Sequence, residues 1–98
     1  MSINKTRAGE ELTVALEGRL DTITAPELDE VIKTELSGIK RLLFDFSKLE
    51  YISSAGLRVL LTAQKTMSKQ GSMVVKNVSE EVFEILEVTG FSNILTVE

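Results

Sequence analysis

Residues 41–46 read Arg-Leu-Leu-Phe-Asp-Phe, an apolar run too short for a helix and too continuously apolar for a strand with one wet face. Such a run belongs at the centre of a covered sheet, so its neighbours in sequence must supply the cover. They have the period to do so. Upstream, Leu28, Val31, Ile32 and Leu36 follow the i, i+3, i+4, i+8 spacing of one buried helical stripe. Downstream, a helix from Ser54 to Gln70 turns Leu57, Leu60, Leu61 and Ala63 inward and Arg58, Lys65, Ser68 and Lys69 outward.

Punctuation residues mark where these elements begin and end. Thr24-Ala25-Pro26-Glu27 reads as a helix start: Thr24 caps, Pro26 tolerates its missing donor in the first turn, and Glu27 completes a capping box. Gly38 supplies a left-handed stop, and Gly71 closes the second helix. Ser72 to Lys76 is a further short strand. Ser79 then caps a third helix, with Glu80 and Glu81 well placed against its dipole, Val82, Ile85 and Leu86 inward, and Gly90 as its stop. Ile94 to Val97 reads as a last short edge strand. Before all of these, Leu12, Val14 and Leu16 alternate over Glu11 to Leu16, Gly18 ends that strand, and Ile3 begins an earlier edge strand. Strands alternating with helices give an α/β fold. The expectation is a small mixed, mostly parallel sheet of four to five strands with three main helices, an N-terminal strand or hairpin, and residues 1–98 as one domain.

Composition removes whole classes of chemistry. The chain holds no Cys and no His, so the soft metal ligands, the commonest general base and any thiol nucleophile are missing. We expect neither a metal nor another cofactor. A net charge of -4 argues against direct binding to nucleic acid, and the basic group Lys65 to Lys69 reads as the wet side of a helix. Met1 to Glu10 is too polar for a signal peptide, and no apolar run approaches the roughly 18 to 20 residues of a membrane span. The expected setting is the cytoplasm, without membrane insertion.

The segment Leu49-Glu50-Tyr51-Ile52-Ser53-Ser54-Ala55-Gly56-Leu57-Arg58 crowds small side chains where the central strand gives way to the second helix. In open α/β sheets, functional surfaces lie at such strand carboxyl ends. Either serine can cap the helix, a role that requires no function. The second serine is redundant for that purpose, however, and Gly56 is a poor helix former that clears room beside Ser54 for an approaching backbone. A phosphate on Ser54 would place about -1.5 to -2 charges on a helix N-terminus that favours anions, so the fold should survive while a docking partner meets repulsion. Arg58, one turn later, is placed to pair with that phosphate or with a partner carboxylate. Asp21 and Asp45 form a conceivable acid/base pair, but without a nucleophile they read as turn and strand-end carboxylates.

Gly18-Arg19-Leu20-Asp21, Leu43-Phe44-Asp45-Phe46-Ser47, Tyr51-Ile52-Ser53-Ser54-Ala55-Gly56-Leu57, Gly71 and Gly90-Phe91 together resemble the STAS domain of bacterial anti-sigma factor antagonists. The resemblance covers nearly the whole chain, in order. It implies a serine acceptor at the start of the second helix, Ser54, with Ser53 as the alternate because it stands where the family commonly has Asp. Arg58 stands where the family often has Gly. It further implies a binding protein that, unphosphorylated, engages a serine kinase/anti-sigma factor and frees the sigma factor, with a phosphatase to reset Ser54. Asp21, Thr22, Ser53, Ser54, Ala55, Gly56 and Arg58 are the candidate partner contacts.

Two other functions compete. A hydrolase or transferase using Ser54 as nucleophile lacks a base, because no His exists and the residue three positions on is Leu57 rather than Lys. We therefore expect no enzyme. A STAS subunit of another regulatory or lipid/anion transport complex, without sigma control, remains the alternative.

Overall fold

The first two strands pair with each other and precede the first helix in the chain. The computed structural model describes residues 1–98 and begins with a hairpin of β1 (Ser2–Ala8) and β2 (Glu11–Leu20), antiparallel from Ser2↔Glu17 to Ala8↔Glu11. Gly9 at the turn has φ 63°, a conformation that glycine adopts without steric penalty. After β2 come α1 (Ala25–Glu35), β3 (Arg41–Ile52), α2 (Ser54–Gln70), β4 (Ser72–Lys76), α3 (Glu80–Val88) and a 3-10 turn at Phe91–Asn93. The sheet order is β1-β2-β3-β4, with β2, β3 and β4 mutually parallel. The mixed, mostly parallel α/β sheet with three helices agrees with the sequence expectation.

Several boundaries differ. β2 does not end at Gly18 but runs on to Leu20, and its pairing with β3 shifts register between Ala15 and Glu17 and between Gly18 and Arg19. β3 continues past Phe46 to Ile52, because those same register shifts keep Leu49 and Ile52 paired with β2 and buried. The expected strand at Ile94–Val97 is reduced to one parallel bridge, Val75↔Val97, held by Val75 N–H to Thr96 O at 2.9 Å and Glu98 N–H to Val75 O at 2.8 Å.

The sheet is covered on one face only. Leu12, Val14, Leu16, Leu42, Phe44, Phe46, Met73 and Val75 are buried in a cluster of 24 buried residues with Leu28, Ile32, Leu57, Leu60, Val82 and Leu86 from the helices. The alternate positions Thr13, Ala15, Leu43, Asp45 and Val74 are half-exposed. Leu43 therefore corrects the expectation that the central strand is covered on both faces. Both parallel crossovers, β2-α1-β3 and β3-α2-β4, step the same way across the sheet, so their right-handed paths place both helices on the same side.

Caps also separate expectation from structure. Thr24 is not a capping-box residue. Its backbone is already helical (φ -93°, ψ -20°), and its hydroxyl accepts from Asp21 N–H at 2.9 Å while donating to Arg19 O at 2.7 Å. Gly38 is left-handed (φ 79°) as expected, and Ser79 Oγ accepts from Val82 N–H at 3.2 Å. Gly71 is extended, not left-handed; a Cβ there would strike the carbonyl of Lys40, which accepts from Ser72 N–H. Gln70 Nε2 donates to Leu36 O and Ile39 O at 2.6 and 2.7 Å, fastening the end of α2 to the end of α1.

Candidate docking site

Parallel pairing of β2 with β3 delivers the site. Leu20 opposes Ile52 at the carboxyl ends of the two strands, and Ser53 N–H donates to Leu20 O at 2.8 Å. The chain leaving β2, Asp21–Thr22, and the chain leaving β3, Ser53–Ser54, thus emerge side by side. Asp45 lies seven positions before Ile52 on β3, roughly 20 Å along the strand from this end. Asp21 and Asp45 do not form an acid/base pair.

The two serines have different roles. Ser53 is the N-cap, extended at φ -98°, ψ 175°, and its Oγ accepts from Gly56 N–H at 3.4 Å. Ser54 is the first residue of α2 and is exposed, its hydroxyl unused by the cap. The amides of Ser54 and Ala55 find no acceptor in the fold, and no acidic residue occupies the first turn of α2.

Gly56 is buried, which corrects the idea that it clears space beside Ser54. A Cβ on it would lie 2.6 Å from Leu20 Cγ and 3.0 Å from Ile52 Cγ1. The space it leaves is filled from inside by the ends of β2 and β3. Glycine at this position lets α2 settle onto the strand ends that carry the site.

Asp21 is engaged within its own turn. Its Oδ1 accepts from Ile23 N–H at 3.0 Å and Thr24 N–H at 3.1 Å, and lies 3.2 Å from the Thr24 hydroxyl, a longer alternative acceptor to Arg19 O for its one proton. The backbone donor of Thr24 is the largest influence holding its carboxyl below 3.8, helped by Ile23 and Arg19 against partial burial. Arg19 lies 4.3 Å from the Tyr51 ring centre and 3.9 Å from Asp21, bracing the turn. Asp45 is likewise held below 3.8, first by Ser47 N–H and then by the Asn77 side chain.

Two grooves flank α2. One, about 290 Å³, lies between α1 and α2 and brings together Thr22, Ala55 and Arg58 with Ala25, Pro26, Asp29, Val59 and Thr62. The other, about 260 Å³, is lined by Ser54, Leu57, Arg58, Leu61, Thr89 and Phe91. Arg58 borders both. The second groove was not legible in the sequence, where Leu61 reads as an inward core residue and Phe91 as the approach to a strand. Only the turn after Gly90 (φ 82°) brings Phe91 against α2. No three His, Cys, Asp or Glu side chains gather in a metal-binding group, and no helix is long and apolar enough to cross a membrane.

Residues 2–98 match the STAS domain. The chain belongs to this family. BtrV of Bordetella bronchiseptica, provisionally named an anti-sigma factor antagonist, is 35% identical over 88 residues, covering 88% of this chain and 76% of BtrV. The anti-sigma-B factor antagonist of Listeria monocytogenes is 29% identical over 98 residues, covering 96% of this chain and 84% of that protein. SpoIIAA of Bacillus has the same fold in both its unphosphorylated and phosphorylated structures, with TM-scores of 0.78 and 0.76. Those alignments cover 99% of this STAS chain and 87% and 91% of SpoIIAA, at 17% and 16% identity. The relatives' names describe proteins that oppose another protein rather than catalysts, in agreement with the expectation of a binding protein.

Proposed function

We propose that this STAS protein is an anti-sigma factor antagonist whose binding is gated by phosphorylation of Ser54. Unphosphorylated, it engages a serine kinase/anti-sigma factor in the cytoplasm, and the sigma factor is released; a phosphatase restores the free hydroxyl. The reading rests above all on the division between the serines: Ser53 caps α2, which leaves Ser54 exposed at the rim of a groove. The relatives' names support the antagonist role, and the existence of a phosphorylated SpoIIAA with this fold supports the gate.

The physics of the gate is local. A phosphate on Ser54 adds about -1.5 to -2 charges beside two unused amides and a helix dipole that favours anions, so α2 tolerates it. A partner seated over Asp21, Thr22, Ser53, Ser54, Ala55 and Arg58 would have to desolvate that charge, and binding weakens. Gly56 contributes from beneath, by seating α2.

The test is affinity capture from the native cell with and without ATP, followed by phosphate mapping by mass spectrometry. Phosphate on Ser54, binding retained by Ser54→Ala and binding weakened by Ser54→Asp are expected. Phosphate confined to other residues, or unchanged binding by both variants, overturns the proposal. Capture of a transport complex in place of a kinase would favour the non-sigma alternative.

A further inference from the structure

The helix that carries Ser54 differs in charge from the rest of the chain. The protein has a net charge of -4, yet α2 contains Arg58, Lys65 and Lys69 and no acidic residue. None of these three cations takes part in an ion pair; the four pairs in the fold involve Lys5, Arg19, Lys33 and Arg41. Acidic residues are instead concentrated on α3, which holds Glu80, Glu81, Glu84 and Glu87.

The three cations are also aligned. At 100° per residue, positions 54, 58, 62, 65 and 69 fall on one face of a helix, and Ser54, Arg58, Thr62, Lys65 and Lys69 are all exposed. The stripe runs roughly 22 Å from the candidate acceptor to the last turn of α2. Arg58 is its first cation, four residues after Ser54 and the only cation lining either groove. A phosphate at position i with a cation at i+4 is the favourable order on a helix.

Resting on the proposed gating of Ser54, we infer that the stripe Arg58–Lys65–Lys69 is an electrostatic docking surface for an acidic segment of the protein partner, and that a phosphate on Ser54 competes for Arg58. Neutralising one stripe cation and placing a dianion at its head would then act together. Phosphorylation removes an attraction as well as adding a repulsion. Charge complementarity favours an acidic partner: three exposed cations on one face, unpaired within the fold, present a surface complementary to carboxylates, and the acidic remainder of this chain repels nucleic acid.

The inference is tested on the full chain with the purified kinase/anti-sigma factor from the capture above. Triple replacement Arg58→Gln, Lys65→Gln, Lys69→Gln is expected to slow association about tenfold at low salt and to flatten its salt dependence, whereas Lys48→Gln, off the stripe, leaves both unchanged. With phosphoserine incorporated at position 54, Arg58→Gln is expected to raise the second pKa of the phosphate, read by phosphorus NMR, by roughly 0.2 to 0.7 unit. All these replacements are at exposed positions, and circular dichroism melting checks that the fold persists. Unchanged association by the triple variant while Ser54→Asp still weakens binding overturns the stripe but leaves the gate standing. An unchanged phosphate pKa overturns the competition for Arg58, and tight binding of duplex DNA or anionic vesicles with no effect on the protein partner overturns the acidic-partner assignment.

Discussion

Gly56 and Leu20 are packed so closely that a single methyl group on the glycine would lie 2.6 Å from Leu20 Cγ, a branch atom of a side chain with 0% exposure. An alanine in a helix is ordinarily better than glycine by roughly 1 kcal/mol. Here the gain is outweighed. Gly56→Ala is expected to destabilise the fold by about 1 to 3 kcal/mol, lowering the midpoint of thermal melting. A midpoint at or above that of the wild type would show that Leu20 and Ile52 yield freely.

The cap assignment separates two neighbouring serines by stability. Ser53→Ala removes the acceptor for Gly56 N–H, and the 3.4 Å length of that bond places the expected loss near the low end of the cap range, about 0.5 to 1 kcal/mol. Ser54→Ala is expected to leave the urea midpoint nearly unchanged. Equal losses from both variants would contradict the division of roles.

Negative charge at position 54 should be welcome to the isolated fold. Ser54→Asp puts a carboxylate in a first turn that has none, and is expected to stabilise by roughly 0.3 to 1 kcal/mol at low ionic strength, fading with added salt. A lower melting midpoint in Ser54→Asp would mean that phosphorylation acts by distorting α2 rather than by altering its surface.

Acid stability should depend on two named carboxylates. Asp21 and Asp45 both titrate below 3.8 in the fold, Asp21 chiefly through Thr24 N–H and Asp45 chiefly through Ser47 N–H. A carboxyl with a depressed folded pKa binds protons more readily when unfolded, so its contribution is present above about pH 4 and is lost as pH falls through 3.8 and below. Asp21→Asn combined with Asp45→Asn keeps an acceptor oxygen at each position and removes the charge. Melting between pH 2 and 6 is expected to show a shallower decline below pH 4 than in the wild type; an identical decline would assign acid sensitivity elsewhere.

Local pattern carried much of this protein. Alternation at Leu12, Val14 and Leu16, the helical spacing of Leu28, Ile32 and Leu36, and the stops at Gly38 and Gly90 are short-range signals, legible because each depends on a few neighbouring residues. The strand-helix order they give restricts the topology to parallel, right-handed crossovers. The Ser53-Ser54 pair was likewise visible at the head of α2. Which serine caps was not, because both are chemically competent and the choice is set by where Leu20 O fixes the Ser53 backbone.

Tertiary structure decided the remainder. The reach of β3 to Ile52 depends on register shifts against β2, a strand more than twenty residues earlier, and no local pattern encodes them. The reason for Gly56 came from Leu20 and Ile52, and the second groove from a turn that lays Phe91 beside α2. Sequence determines what each segment is able to form through interactions within a few residues. Which side chains then meet, and so which surface a partner finds, is decided by contacts between elements distant in the chain.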